Sequence, residues 1–241
     1  MPPPFPNSDP PAGAPARLPE AGVLSAHALG CRRGRRQLFG GLDLQLPPGR
    51  ITWLRGTNGS GKTSLVRMLA GLSTPTEGEL RWNGQPLAAS QAAARRGTLY
   101  IGHANALKDD LTLCESLAFL ACLQGLNNAP ARARSALDRL GLGSRRDAMV
   151  RTLSQGQRRR GALARLALDD RPRTWLLDEP YDALDRDSTT LLSSLIEAHV
   201  ARSGAVLLTS HQPVDLAGAA EFDLEPFRPT ASRSRPDPMP P

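Results

Sequence analysis

One short stretch limits the architecture of this chain more than any other. Residues 56–63 read GTNGSGKT and fit the pattern G-x-x-x-x-G-K-[ST]. Such a loop works only between a strand and a helix. The preceding RITWL (50–54) is β-branched and aromatic, as a buried strand is. The following TSLVRMLAGL (63–72) sets Leu65, Met68, Leu69 and Leu72 on one helical face. Gly56, Gly59 and Gly61 allow positive φ and close approach of the backbone to phosphates. N–H groups at the helix start and the helix dipole then favour the anion. Thr57, Asn58, Ser60 and Ser64 complete the expected nucleotide-binding set, with Lys62 reaching the β- and γ-phosphates and Thr63 offering its hydroxyl to Mg2+. Lys62 is one of two lysines, the other being Lys108, in a chain with 30 Lys and Arg. A lysine here argues for a site that wants a compact ammonium rather than a planar fork.

A second strand ends in acids. TWLLDEP (174–180) is apolar up to Asp178 and Glu179, and Pro180 stops it. At a strand end Asp178 suits Mg2+ held through its water shell, and Glu179 suits polarising an attacking water. LSQGQRRRGALARLAL (153–168) adds another device. Ser154 reads as a helix N-cap, Gly156 permits close backbone approach, and Leu163, Leu166 and Ala167 are expected inward with Arg158–Arg160 outward. A helix start aimed at an anion is a second phosphate site. Since the chain already has a cradle for its own nucleotide, this helix is expected to cap one held by another copy.

The rest of the composition sets limits. Prolines crowd the ends, eight in residues 1–20 and six in 226–241. Proline lacks an N–H and fixes φ, so disordered tails are expected over 1–20 and 228–241, flanking a folded unit at 21–227. The net charge is +7, and arginine runs stand at 32–36, 95–96, 145–146 and 158–160. They read as solvated faces; the alternative is attraction to nucleic acid or acidic lipid headgroups. Cys31, Cys114 and Cys122 form no CxxC pair, which suits a reducing compartment. No secretory signal is expected, and no stretch approaches the roughly 20 apolar residues needed to span a bilayer.

GTNGSGKT, LSQGQ, LLDEP, ALD (183–185) and SHQ (210–212) stand in the order and approximate spacing of the ATP-binding cassette ATPases, which the chain resembles over nearly the whole folded region. The resemblance implies a head-to-tail dimer with two ATP molecules sandwiched between phosphate loop and signature. Ser154, Gln155, Gly156 and Gln157 would form the signature contact across that interface, and Asp185 would help join the two sites. His211, after the apolar strand AVLLTS (205–210), would contact the γ-phosphate and help hold the water. Two residues depart from the general pattern. His103 follows Gly102 where most cassettes have glutamine, and is expected to serve as a hinge beside the metal or attacking water. Arg33 falls where an aromatic usually stacks on adenine, and its guanidinium plane is expected over that ring.

Further stretches, among them CRRGRRQLFGGLDLQLPPG (31–49), YIGHANALKDDLTLCESLAF (100–119) and TSHQPVDL (209–216), resemble the ATP-binding subunit of the haem exporter of bacterial cytochrome c maturation. Lys108 fits that group's Lys-x-x-Leu-Thr pattern, whereas Ala104 and Asn105 replace an expected Gln-Pro pair. No CxxCH is present, so haem itself would be handled by membrane partners.

The expectation is therefore α/β. A P-loop core carries an antiparallel sheet from roughly 21–48 and 78–83, and a helical subdomain from roughly 104–165 suits docking on integral membrane subunits. ATP and Mg2+ are the expected cofactors. The place would be the cytoplasmic face of the bacterial inner membrane, peripherally and without insertion. Another drug or lipid exporter, or a nucleic-acid-associated ATPase, remains the alternative. Nucleic acid is not the expected partner, because the second cassette, coiled-coil insertion or zinc cysteines usual in those branches are absent.

Overall fold

The structure is a computed structural model that describes residues 22–211 and 215–229. The tail expected over 1–20 lies outside these, as does all of the C-terminal one beyond Arg228 and Pro229. Arg228 itself makes defined hydrogen bonds to Thr57 and Glu225.

Two sheets form the frame. Strands β1 (Leu24–Arg33), β2 (Arg36–Leu46), β4 (Glu77–Trp82) and β5 (Gln85–Pro86) make an antiparallel sheet in the order β2-β1-β4-β5. Strands β3 (Ile51–Arg55), β6 (Thr98–Ile101), β7 (Thr174–Leu177), β8 (Ala205–Thr209) and β9 (Ala219–Asp223) make a parallel sheet in the order β6-β7-β8-β3-β9. Parallel strands must be covered on both faces, so β7 and β8 are buried throughout and apolar but for Thr174 and Thr209. Alternation then divides their side chains between two cores. Leu54, Leu176 and Leu207 face the antiparallel sheet and helix α1 (Lys62–Leu69). Ile51, Trp175, Leu177, Val206 and Leu208 face the helical part of the chain.

That part holds α3 (Leu113–Leu123), α4 (Ala129–Arg139) and α5 (Gln155–Leu163). Thr112 and Glu115 start α3 with a reciprocal capping box. Leu113 and Leu117 are fully buried, and Leu120 only half-buried. Phe119 and Leu123 stand on the outer side, 45% and 68% exposed. The remaining helices are α2 (Leu87–Gly97), beside β4, and α6 (Arg186–Ala201), which packs on β8. Buried in α6, His199 stacks on Trp175 with ring centroids 3.6 Å apart and planes 8° from parallel. Its Nε2 meets the Arg173 carbonyl at 2.8 Å, so that nitrogen carries the hydrogen.

Two helix expectations need correction. α1 stops at Leu69: Gly71 turns back at φ +69 and its N–H reaches the Met68 carbonyl at 2.8 Å. Leu72 therefore leaves the helical face and is 54% exposed. Likewise α5 ends at Leu163, and Leu166 and Ala167 are buried from a following 3-10 turn. Arg159, expected outward with its neighbours, is 3% exposed. No helix among the described residues is long and apolar enough to cross a membrane.

Candidate active site

The site gathers where the carboxyl ends of β3, β6, β7 and β8 open toward α1. A parallel α/β sheet offers its crevice there. A cavity of 660 Å³ is lined by Arg33, Arg36, Leu38, Asn58, Gly59, Gly61, Lys62, Thr63, Ser64, His103, Asp178, Glu179, Asp182 and His211. Residues more than 170 positions apart in the chain thus share one wall.

The phosphate loop follows β3 directly. Gly61 adopts φ +111 at the start of α1, and a Cβ there would press on the Phe39 ring at 3.0 Å. Only glycine suits both constraints. Lys62 is buried, and its Nζ donates to the carbonyls of Gly56 (2.7 Å) and Thr57 (3.2 Å). An ammonium has three protons, so this ring of bonds leaves Lys62 a donor for an anion in the loop. Gly56, Thr57 and Ser60 belong to the loop but do not line the cavity. Thr57 is gripped from behind: its N–H and hydroxyl both donate to Glu225 Oε1, at 2.7 and 2.6 Å. Arg228 completes that grip by donating to Thr57 Oγ1 (3.0 Å) and Glu225 Oε2 (2.7 Å). These bonds from Thr57 and Arg228 hold the Glu225 carboxyl down at about 2.

Across the cavity, Asp178 is buried and its Oδ1 accepts from Thr63 Oγ1 and from Thr209 Oγ1, each at 3.1 Å. Thr63 and Asp178 thus present two hard oxygens side by side. Among the described residues no group of three or more His, Cys, Asp or Glu stands ready as a metal cage. One hydroxyl and one carboxylate, with phosphate and water left to complete the shell, is a donor set that fits Mg2+.

Glu179 adopts φ +49, a left-handed conformation rare for a non-glycine residue. Its N–H donates to Thr209 Oγ1 at 2.8 Å, and Oε2 accepts from the His211 N–H at 3.1 Å. The His211 Nε2 lies 3.4 Å from Glu179 Oε1. Burial pushes the Glu179 carboxyl above the usual carboxylate range; His211 and Lys62 oppose that, while Asp182 and Asp178 add to it. A carboxylate that is largely desolvated, open to the cavity and paired with an imidazole suits holding a water and taking its proton.

The signature residues stand elsewhere. Ser154 caps α5: its Oγ accepts from Gln157 N at 3.2 Å, while Gln157 Oε1 accepts from Ser154 N at 3.0 Å. The Ser154 hydroxyl proton is not used in that box. A Cβ on Gly156 would meet the Ala183 carbonyl at 3.1 Å, a close approach of the kind expected. None of Ser154, Gln155, Gly156, Gln157 or Asp185 lines the large cavity. Gln155 instead shares a 190 Å³ cavity with His103, Asn105, Arg159 and Asp182. Asp185 caps α6, with Oδ1 accepting from Ser188 N at 2.9 Å, and that bond holds its carboxyl below the usual range.

Sequence reasoning missed Thr209, Asp182, Arg159 and Glu225. Thr209 ends the strand that leads to His211, and its hydroxyl after four apolar residues was a usable signal. Glu225 lies 168 residues from Thr57, and nothing local announces the contact.

A family profile described as ABC transporter matches residues 39–182. The cytochrome c biogenesis ATP-binding export protein CcmA of Albidiferax ferrireducens is 47% identical over 203 residues, covering 84% of this chain and 96% of the relative. That of Methylococcus capsulatus is 46% identical, covering 81% and 94%. A solved ATP-binding subunit of an ABC transporter superposes with a TM-score of 0.70 at 25% identity, over 78% of this chain and 79% of that one. The phosphate loop facing Asp178 and Glu179 across one cavity, with these likenesses, identifies the chain as an ATP-binding subunit of the ABC transporter family.

Proposed function

We propose that the chain hydrolyses ATP to drive a membrane exporter serving cytochrome c biogenesis, with haem the cargo handled by its membrane subunits. The observation that carries the enzymatic part is the convergence of Lys62, Thr63, Asp178, Glu179 and His211 on one cavity. Relatives printed as cytochrome c biogenesis export proteins support the rest.

Each residue has a task that its geometry supports. Lys62 and the loop N–H groups hold the β- and γ-phosphates. Thr63 and Asp178 would hold Mg2+, which when bound neutralises phosphate charge. Glu179 orients the attacking water and accepts its proton. His211, beside Glu179, keeps that carboxylate aimed and reaches toward the terminal phosphate. Arg33 stands at the cavity mouth, where it suits stacking on adenine. Ser154 and Gly156, exposed or half-exposed and outside their own chain's cavity, fit a phosphate held by a second copy in a head-to-tail dimer.

Arg159 and Arg173 are buried, and Arg139, Arg146, Arg151, Arg158, Arg171 and Arg202 each pair with an aspartate. Part of the positive charge is therefore buried or matched by acids, while Arg32, Arg33, Arg35, Arg36, Arg95 and Arg96 stay exposed. A peripheral position on the cytoplasmic face of the inner membrane follows from this reading, with α3 as the docking side. Deleting the gene tests it: cytochrome c maturation should be lost and should return with the wild-type chain. Normal maturation in the deletion strain would remove the export assignment and leave the ATPase intact.

A further inference from the structure

Arg159 departs most from what its surroundings would suggest. It sits in a run of three arginines, yet its head is buried beneath the active site. Burial pushes its pKa down, while Asp182, Asp178 and Glu179 favour the charge; a guanidinium starts so high that it stays cationic. Nη1 donates to the Gly102 carbonyl at 2.8 Å. Nη2 donates to the carbonyls of Asp178 (3.1 Å) and Glu179 (2.6 Å).

Those three carbonyls have a common origin. β6 and β7 are parallel neighbours, paired from Thr98 and Thr174 to Ile101 and Leu177. The last bond between them is Asp178 N–H to the Ile101 carbonyl at 2.8 Å. Beyond it the carbonyls of Gly102 and Asp178 run off the ladder, and that of Glu179, which also accepts from the Asp182 N–H at 3.2 Å, lies beside them in a partly buried place. A carbonyl left unpaired there would keep an uncompensated desolvation cost. A planar fork with several donors in fixed directions meets all three at once; a point-like ammonium does so less well.

Two consequences join here. Glu179 holds a left-handed conformation, φ +49, that persists only if its surroundings fix it. Thr209 fixes its N–H from one side, and Arg159, with the Asp182 N–H at 3.2 Å, fixes its carbonyl from the other. Arg159 also belongs to α5, the helix that starts at the signature serine, Ser154. A helix moves as a rigid piece over so short a span. Any displacement of the signature end is therefore delivered to the Glu179 elbow and to Gly102, the residue before His103.

We infer that Arg159 is a positioning residue for hydrolysis, tying the signature helix to the backbone that aims Glu179 and to the junction that carries His103. This rests on the ATPase reading and extends it: engagement of α5 by a nucleotide on one face sets the geometry of the hydrolytic carboxylate on the other.

The test compares the full wild-type chain with Arg159→Lys and Arg159→Met, with ATP and Mg2+. Binding of a fluorescent ATP analogue should stay within about twofold, because the phosphate loop is untouched, while kcat falls about 10- to 100-fold with little change in KM, as for a misplaced reacting group. Lysine should retain more kcat than methionine. Hydrogen exchange should quicken in the peptides spanning 101–105 and 178–184 and stay unchanged over 56–64. Exchange that quickens evenly through the domain, or a kcat loss that disappears on correcting for the folded fraction, would make Arg159 a general stabiliser and overturn the inference. Unchanged exchange and kcat in both variants would overturn it too. Wild-type chain that fails to bind ATP would instead remove the ATPase reading, and the exchange comparison would still decide the tie.

Discussion

At the scale of single residues the hydrolytic centre is a division of labour between two adjacent acids. Asp178 is buried and takes hydroxyl donors from Thr63 and Thr209, which suits the proposed hold on Mg2+. Glu179 turns away through its positive φ and reaches the cavity beside His211. Glu179→Gln preserves the shape and the bond from the His211 N–H but removes the base. ATP binding should persist while turnover drops by at least about 100-fold, as for loss of a positioned base. Nucleotide-binding and steady-state phosphate-release measurements on the same preparation check this. Near-normal turnover would move the base elsewhere. The two acids were legible in the sequence because an apolar strand ended on them. The left-handed turn at Glu179 was not, since besides the local bond from the Asp182 N–H it is held by Thr209 and Arg159 from other parts of the chain.

At the scale of elements, pattern and position tell different amounts. The parallel strands β3, β7 and β8 could be read from their continuous apolar runs, and Ser154 from its capping pattern. The failures are instructive. Three successive arginines look alike along a sequence, but they point about 100° apart around a helix, so one had to face whatever α5 packs against. What it packs against is a pair of strand ends, which no periodicity reveals. The same limit hid His199. Burial lowers its pKa to about 4, with the Arg173 carbonyl only partly offsetting that cost. The unfolded chain takes up this proton near 6.5, and the folded chain holds off until about 4. Stability present above pH 6.5 is therefore lost on acidification through that window, in total about 3 kcal/mol. His199→Phe keeps the stack on Trp175 and leaves the Arg173 carbonyl bonded to Ala205 N–H at 3.0 Å. Urea midpoints at pH 7 and pH 5 should differ less for this variant than for wild type. Equal differences would show that His199 titrates normally.

At the scale of the whole molecule, the phosphate loop and the signature residues proposed to sandwich a nucleotide lie on one chain but not around one cavity. The phosphate loop, Asp178 and Glu179 line one cavity, and Ser154 and Gly156 do not reach it. A second copy is the economical way to bring them together. His103 stands between these parts, lining both the large cavity and the small one with Gln155 and Arg159. An imidazole can donate or accept there, as an amide can. His103→Ala should keep ATP affinity within a few-fold, yet lower the hydrolysis stimulated by membrane subunits by about tenfold or more, in line with loss of one positioned polar group. His103→Gln should restore much of it. ATPase assays with and without the co-purified membrane subunits distinguish the outcomes, and full stimulation of the alanine variant would leave His103 a bystander.

The grip of Glu225 and Arg228 on Thr57 bears on how this chain can be handled. The last strand, β9, returns the backbone to the phosphate loop, and the residues just after it hold that loop's second position from outside the cavity. A purification tag or reporter joined directly after Arg228 is therefore mechanically connected to the place where phosphates bind. A truncation before Leu224 would remove the Glu225 and Arg228 bonds to Thr57, leaving only those at its carbonyl from Lys62 and Ser60. Handles belong at the other end of the chain, or behind a spacer that leaves Arg228 free to keep its bonds.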